Sequence, residues 1–507
     1  MPRLNRKLLA LILIAVVVAS TVFMAVTASG AQGSTTDNTY VGTAPKYVFV
    51  FIGDGMSYPQ FYAAEAFKGK TLSDPNTVSI SKLNFSSFPV AGSASTFDSS
   101  SICPDSASTA TSIATGNKTL SGVINMDVTK TQKFKTIAEM AKEKGYKVGI
   151  VSSVSINHAT PAAFYAHQPS RGNYYEIGVE LAESNFDYFG GGGFLQPTGS
   201  KGDQKSIFDI AKEKGYKLAN TKKDILALSS RSGKVIATNP ILDSEAALPY
   251  EIDRAADDLS LADFTRKGID VLNNTKGFFM MVEGGKIDWT CHANDAATSI
   301  KDTIAFENAV GEAIEFYHKH PKETLIIVTA DHETGGMTIG FAATGYSTFF
   351  EKLAYQTKSY DEFTKVVKNY AAGTAKDAAK LEDLLPAIKD SFGLIVSTDP
   401  DAANRPGMVL TSYEVKLLTD ALAQSMISSK ERKFTDAEKV MYGTYDPLTV
   451  TITHILNNKA GIGWTSYSHT GIPVPVFALG KGEDLFSGYY DNTDIFKKLY
   501  SIIKIKK

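Results

Sequence analysis

Five short runs, apolar at nearly every position, set the limits on how this chain can fold: residues 47–52, 147–151, 278–282, 325–328 and 474–479. A strand with one face in water alternates apolar and polar residues. A strand that reads apolar throughout is buried on both faces, the condition of a parallel sheet held between two helix layers. Helical patterns separate the runs, so the class is α/β: a central, mostly parallel β-sheet flanked by helices on both faces. At 507 residues, 43% of them hydrophobic, the chain can bury one large core or two, and disorder of the bulk is excluded.

The heptapeptide Ala-Lys-Glu-Lys-Gly-Tyr-Lys occurs at 141–147 and again at 211–217. Each copy ends a helical pattern at a glycine, and the first leads clearly into a strand. They read as recurring helix-to-strand corners capped by Gly145 and Gly215, without the fixed period of a repeat architecture. From Phe341 to about Ala460 buried-strand runs thin out and helical, charged or aromatic stretches take over. That is too long for a loop. It predicts a largely helical insertion over 341–460, placed before the last core strands and acting as a cap or interface element.

At the N-terminus Arg3, Arg6 and Lys7 precede the apolar run 8–26 and then the small residues 27–31. This is the order of a secretory signal, and the run is also long enough to span a bilayer as an uncleaved anchor. Either reading predicts export, with the catalytic part outside the cytoplasm, and residues 8–26 are a candidate membrane attachment. Residues 32–44 read as a polar linker. With 52 Lys+Arg against 54 Asp+Glu there is no basic block for nucleic acid, so an anionic substrate must be attracted locally. Two cysteines exclude a disulfide framework and a Cys-rich zinc module. Any metal must be held by His and carboxylates.

Four segments end a strand with chemically active side chains, and in parallel α/β sheets ligands gather at the carboxyl ends of strands. Asp54 sits between Gly53 and Gly55, where a carboxylate can approach a metal unobstructed; alone it reads equally as a helix cap. Ser106 opens a run of small residues, so its hydroxyl would lie at a helix N-terminus, where an anion is stabilised; Asp105-Ser106 also reads as a plain cap. Glu283, Asp288 and His292 fall within ten positions, and the four-residue spacing of Asp288 and His292 puts both on one helix face, able to chelate one zinc ion. Asp331 and His332 are adjacent, and can share an ion only where the strand breaks, a break assigned to Gly335-Gly336. His469, in an expected loop, and the group His158, Thr160 and Arg171 are weaker in isolation.

Together these strings resemble the alkaline phosphatases: Gly53-Asp54-Gly55-Met56, Pro104-Asp105-Ser106-Ala107, His158 to Ala163 with Ser170-Arg171, Val282 to His292, Thr329 to Gly336, and His469-Thr470-Gly471, in family order over roughly residues 45–505. The resemblance implies a catalytic core over 45–340 and 461–507. It implies one zinc ion held by Asp288, His292 and His469, and a second held by Asp54, Asp331 and His332 with Ser106 as nucleophile beside it. Asp54, Thr160 and Glu283 would anchor a third, magnesium site. Three divalent ions set against four carboxylates, a serine alkoxide and the Arg171 guanidinium leave two positive charges, which balances a monoester dianion. The implied reaction is hydrolysis of phosphate monoesters through a phosphoseryl intermediate, with Arg171 gripping the phosphoryl group, Trp289 and His158 beside the substrate, and a homodimer as the assembly. His158 stands where some members carry Asp and Trp289 where some carry Lys, which puts the identity of the third metal in question. Cys103 and Cys291 both adjoin site residues; disulfide-paired, buried-apolar and free-thiol readings are all open to them, and the buried apolar role is the default. The competing readings are a metal-loaded phosphate-binding protein without catalysis, and a phosphodiesterase of the same superfamily. A sulfatase would need Cys or Ser followed by x-Pro-x-Arg, and Cys103 is followed by Pro104 and has Ala107 where Arg would stand.

Overall fold

The computed structural model describes residues 39–72 and 77–504. The predicted leader or anchor over 1–31 and the start of the linker lie outside them. Within residues 40–504 the strands are β1 Tyr47–Ile52, β2 Val90–Ser95, β3 Lys147–Ser152, β4 Tyr188–Gly191, β5 Lys217–Ala219, β6 Val235–Thr238, β7 Phe278–Glu283, β8 Thr324–Thr329, β9 Glu333–Thr334, β10 Thr338–Ile339, β11 Ile462–Gly463, β12 His469–Thr470, β13 Val474–Gly480 and β14 Gly488–Asp491. All five apolar runs are strands of one ten-stranded sheet, ordered β14-β2-β13-β8-β1-β7-β3-β4-β6-β5.

Pairings are parallel throughout except at β13, which runs antiparallel to both β8 and β2. Every residue of β1, β7 and β8 is buried, as strands covered on both faces must be. Phe49 and Phe51 point to the interior, and full burial of each such side chain stabilises the fold by about 1.5–3 kcal/mol.

Both heptapeptide copies are corners of one design. The helices Ile137–Glu143 and Ile207–Glu213 end at Gly145 (φ 87°) and Gly215 (φ 86°), and the second copy also enters a strand, β5. In each, the tyrosine N–H reaches back to the Ala141 or Ala211 carbonyl while the glycine N–H bonds that of Lys142 or Lys212, the paired bonds of a Schellman cap.

Residues 341–460 hold α-helices and 3₁₀ turns and no strand. Their apolar side chains, including Phe350, Phe363, Phe392, Leu418 and Leu456, belong to the same core as the central strands. A smaller cluster of Ala421, Tyr442 and Val450, packed by Phe434, Tyr445 and Tyr467, joins the insertion to the segment before β12.

Register explains where function can sit. Ile52 lies level with Glu283 on one side and Thr329 on the other, and Ser152 is level with Glu283. The carboxyl ends of β3, β7, β1 and β8 therefore form one straight edge, and whatever follows them in sequence meets there.

Candidate active site

The turn after β1 delivers Asp54, which is buried. Gly55 follows at φ 72°, a conformation costly for other residues, and a side chain there would stand 2.9 Å from Asp288 Cα and from Thr334 Oγ1. Glycine is required because three segments touch at this point. The Gly55 N–H donates to Asp331 Oδ1 at 3.3 Å. The chain breaks from β8 at Ala330, ahead of the glycine pair, so Asp331 and His332 already lie beyond the strand; Gly335 and Gly336 form the turn after β9 instead. His469 lies in a short strand and not in the expected loop: β12 pairs with β9, setting His469 opposite Thr334 and stacking its ring on that of His332 at 3.7 Å. Asp288 and His292 project from the helix Lys286–His292 as their spacing predicts.

Donor atoms converge in two sets. Asp288 Oδ1, His292 Nε2 and His469 Nε2 are separated by 3.0, 3.4 and 3.5 Å. His332 Nε2 lies 3.3 Å from Asp54 Oδ1, 3.5 Å from Asp331 Oδ2 and 3.1 Å from Ser106 Oγ. Four tetrahedral ligands at the usual zinc distances have donor atoms about 3.3–3.4 Å apart, close to the separations in the first set and to those from His332 Nε2 in the second. The far side of each ring is engaged as well. His292 Nδ1 bonds the Tyr467 carbonyl and His469 Nδ1 the Pro104 carbonyl, both at 2.6 Å, while His332 Nδ1 faces Thr334 Oγ1 at 3.3 Å. This fixes the orientation of each ring and leaves every Nε2 facing the cluster.

A third group is all oxygen. Asp54 Oδ2 accepts from Thr160 Oγ1 at 3.2 Å, and Glu283 accepts from Ser152. Asp54 Oδ1 and Glu283 Oε1 are buried without a hydrogen-bond partner. Orphaned carboxylate oxygens in an oxygen-lined site suit a hard cation such as magnesium.

The charges agree with that fit. Burial, reinforced by Asp331, Asp288 and Glu283, pushes Asp54 well above the usual carboxylate range. Burial also raises Glu283 to about 8 and Asp331 to about 7. Asp288 goes the other way: burial opposes ionisation, but the His292 and His469 imidazoles hold it well below normal. Carboxylates crowded out of water in this manner are relieved by cations in their midst.

Ser106 is the first residue of a ten-residue helix, Ser106–Thr115, whose side chains are all buried. Asp105 does cap this helix, accepting from the Ser108 N–H at 3.1 Å through Oδ1, but its Oδ2 also takes Arg171 Nη1 at 3.0 Å. One carboxylate thus aligns the serine and the guanidinium. Arg171 Nη2 lies 3.4 Å from His158 Nε2, and the His158 ring meets Trp289 edge-on at 5.9 Å. Burial, with Arg171 adding to it, lowers His158 to about 3, so the ring is neutral.

All twelve side chains singled out in the sequence therefore gather at one end of the sheet. Missing from that set were Asp105 as the arginine's partner, Ser152, and Thr334, whose hydroxyl donates to Asp288 Oδ1 at 2.5 Å. Ser152 could have been noticed as a hydroxyl at a strand end. The Tyr467 and Pro104 carbonyls carry no side-chain signal at all. Both cysteines are free; Cys291 is buried as expected, but Cys103 is exposed because it sits in the loop ahead of the helix cap.

Comparison with known proteins bears on this geometry. The alkaline phosphatase family profile matches residues 45–505. Alkaline phosphatase 4 of Bacillus subtilis is 32% identical over 471 residues, covering 91% of this chain and 89% of that protein, and alkaline phosphatase 3 of the same organism is 31% identical over 468 residues, covering 90% and 89%. Among solved structures, the cold-active alkaline phosphatase of Shewanella sp. superposes with a TM-score of 0.72 at 30% identity, covering 90% of this chain and 99% of that one. With strand ends, donor sets and nucleophile candidate all at one end of the sheet, the match over nearly the whole chain has a physical basis, and this protein belongs to the alkaline phosphatase family.

Proposed function

We propose that the protein hydrolyses phosphate monoesters through a phosphoseryl intermediate on Ser106, with zinc in the two imidazole–carboxylate sets and magnesium among Asp54, Thr160 and Glu283. The observation that carries the reading is the position of Ser106 Oγ, 3.1 Å from His332 Nε2 at a helix N-terminus, with Arg171 anchored beside it by Asp105. A binding protein has no need of a hydroxyl at that place.

When bound, the cations neutralise phosphoryl oxygens and lower the pKa of hydroxyl groups close to them. The chain's own residues do the rest. Arg171 holds two non-bridging oxygens of the monoester through its fork, kept in orientation by Asp105. Ser106 gives up its proton to solvent as Oγ attacks phosphorus in line, the ester P–O bond breaks, and the departing alkoxide takes a proton from water and leaves as the alcohol. Water then attacks the phosphoseryl group from the vacated side, the Oγ–P bond breaks, and inorganic phosphate departs. The positive end of the dipole of the helix that Ser106 opens favours the anionic oxygens at both steps. His158 lies beside Arg171, Trp289 packs edge-on against His158, and both border the substrate.

Among the described residues no helix is long and apolar enough to cross a membrane. The order of residues 3–31 supports export, and a homodimer is the expected assembly. The test is turnover of 4-nitrophenyl phosphate by zinc- and magnesium-replete protein. Wild type should release nitrophenol, chelation should abolish this, and Ser106→Ala should lose at least about a thousandfold in kcat while still binding phosphate. A metal-replete wild type that binds phosphate and turns nothing over would leave the binding reading standing.

A further inference from the structure

Between His332 and Thr334 stands an acidic side chain that the reaction leaves unused. Glu333 is fully buried, and neither donor set includes it. Both of its oxygens face donors instead. Oε1 accepts from Gln60 Nε2 at 2.7 Å and from the Met337 N–H at 3.2 Å. Oε2 accepts from the Gly336 N–H at 3.1 Å and from the Thr470 hydroxyl.

These donors come from three segments of the site. Gln60 lies in the first turn of the helix Tyr58–Leu72, and its Oε1 takes the Ser57 N–H at 2.9 Å, where the turn that carries Asp54 ends. Thr470 follows His469 on β12 and pairs with Glu333 in register, and just beyond it the Pro473 carbonyl accepts from the Ser57 hydroxyl at 2.7 Å. Gly336 and Met337 belong to the turn after β9. One carboxylate thus joins the stretches that supply Asp54, His332 and His469, and a buried polar network satisfied in this manner rigidifies what it connects.

The strands concerned need such a clamp. β9 and β12 have two residues each, too few for backbone bonds alone to hold a register, and a slip of one residue would turn His469 to the opposite face. The two donor sets depend on it unequally. His332 is fully buried just after β8, whereas His469 is partly exposed and is held by β12 and the Pro104 carbonyl. We propose that Glu333 is a positioning residue for the reaction: its carboxylate locks the β9–β12 register and so keeps His469 in place beside Asp288 and His292, without touching substrate or cation. The inference rests on the phosphomonoesterase reading above.

The test is zinc uptake by the metal-depleted full chain, read by chelator competition in wild type, Glu333→Gln, Thr470→Val and Thr470→Ser. Glu333→Gln keeps the shape, but in either orientation its NH2 meets a main-chain N–H, that of Met337 or that of Gly336. Thr470→Val deletes the hydroxyl and Thr470→Ser keeps it. His292→Ala lacks a ligand of the first set alone and so identifies that set's step. Glu333→Gln should weaken this step by about tenfold to a hundredfold, as loss of a group supporting a ligand does, and leave the second set within about threefold. Thr470→Val should weaken it by roughly threefold to tenfold, with Thr470→Ser within about twofold of wild type. Should Glu333→Gln fail to fold, the Thr470 pair decides. Losses shared equally by both steps, confined to the second, or absent overturn the positioning role, and turnover of 4-nitrophenyl phosphate by wild type then keeps the hydrolase reading intact. Metal-replete wild type without turnover overturns both.

Discussion

Thr334 is the residue whose removal tests the site most directly, because one hydroxyl serves both donor sets. It donates to Asp288 Oδ1 at 2.5 Å and stands 3.3 Å from His332 Nδ1, and it is fully buried. Thr334→Val preserves shape and strand preference and deletes only that hydroxyl. A hydrogen bond to a buried carboxylate is worth about 1.5–3 kcal/mol, and each 1.4 kcal/mol is a factor of ten. The substitution should therefore weaken zinc binding by about ten- to a hundredfold, the range typical when a group supporting a metal ligand is lost. Chelator competition reads the affinity, and kcat/KM for 4-nitrophenyl phosphate at limiting and at excess zinc reads the consequence. The deficit should be large at limiting zinc and shrink as zinc is raised. Zinc affinity within about twofold of wild type would refute the idea that Thr334 orients Asp288 and His332.

Arg171→Lys keeps the charge and loses the fork, so kcat/KM should fall by about tenfold to a hundredfold, a loss that steady-state kinetics would show and that an unchanged value would contradict. Lys498 supplies a pH test away from the site: its Nζ is buried without a hydrogen-bond partner, 3.5 Å over the Tyr490 ring, and burial lowers its pKa to about 8. Because the unfolded chain then holds more protons than the folded one between pH 8 and the ordinary lysine range, stability should rise with pH across that window. Lys498→Met should raise the melting temperature at pH 7, with the gain fading toward pH 10; a gain independent of pH would mean that packing and not charge is responsible.

The sequence by itself determined the five apolar core strands, the corners and the chemistry of the donors. Apolar runs such as 47–52 and 278–282 become buried strands because period and composition act locally, and the two Gly-Tyr corners fold alike because a Schellman cap involves six residues and nothing distant. The spacing of Asp288 and His292 was legible for the same reason, and family resemblance assembled the remaining side chains into a set. The third dimension decided which strand ends are neighbours. The level register of Ile52 with Glu283 and Thr329 joins segments more than two hundred residues apart, and no local pattern encodes it. The same holds for the β9–β12 pairing that brings His469 against His332 and for the Pro104 and Tyr467 carbonyls that orient two imidazoles. A main-chain carbonyl is the same at every position in a sequence. What it holds depends on the fold that brings a distant side chain to it.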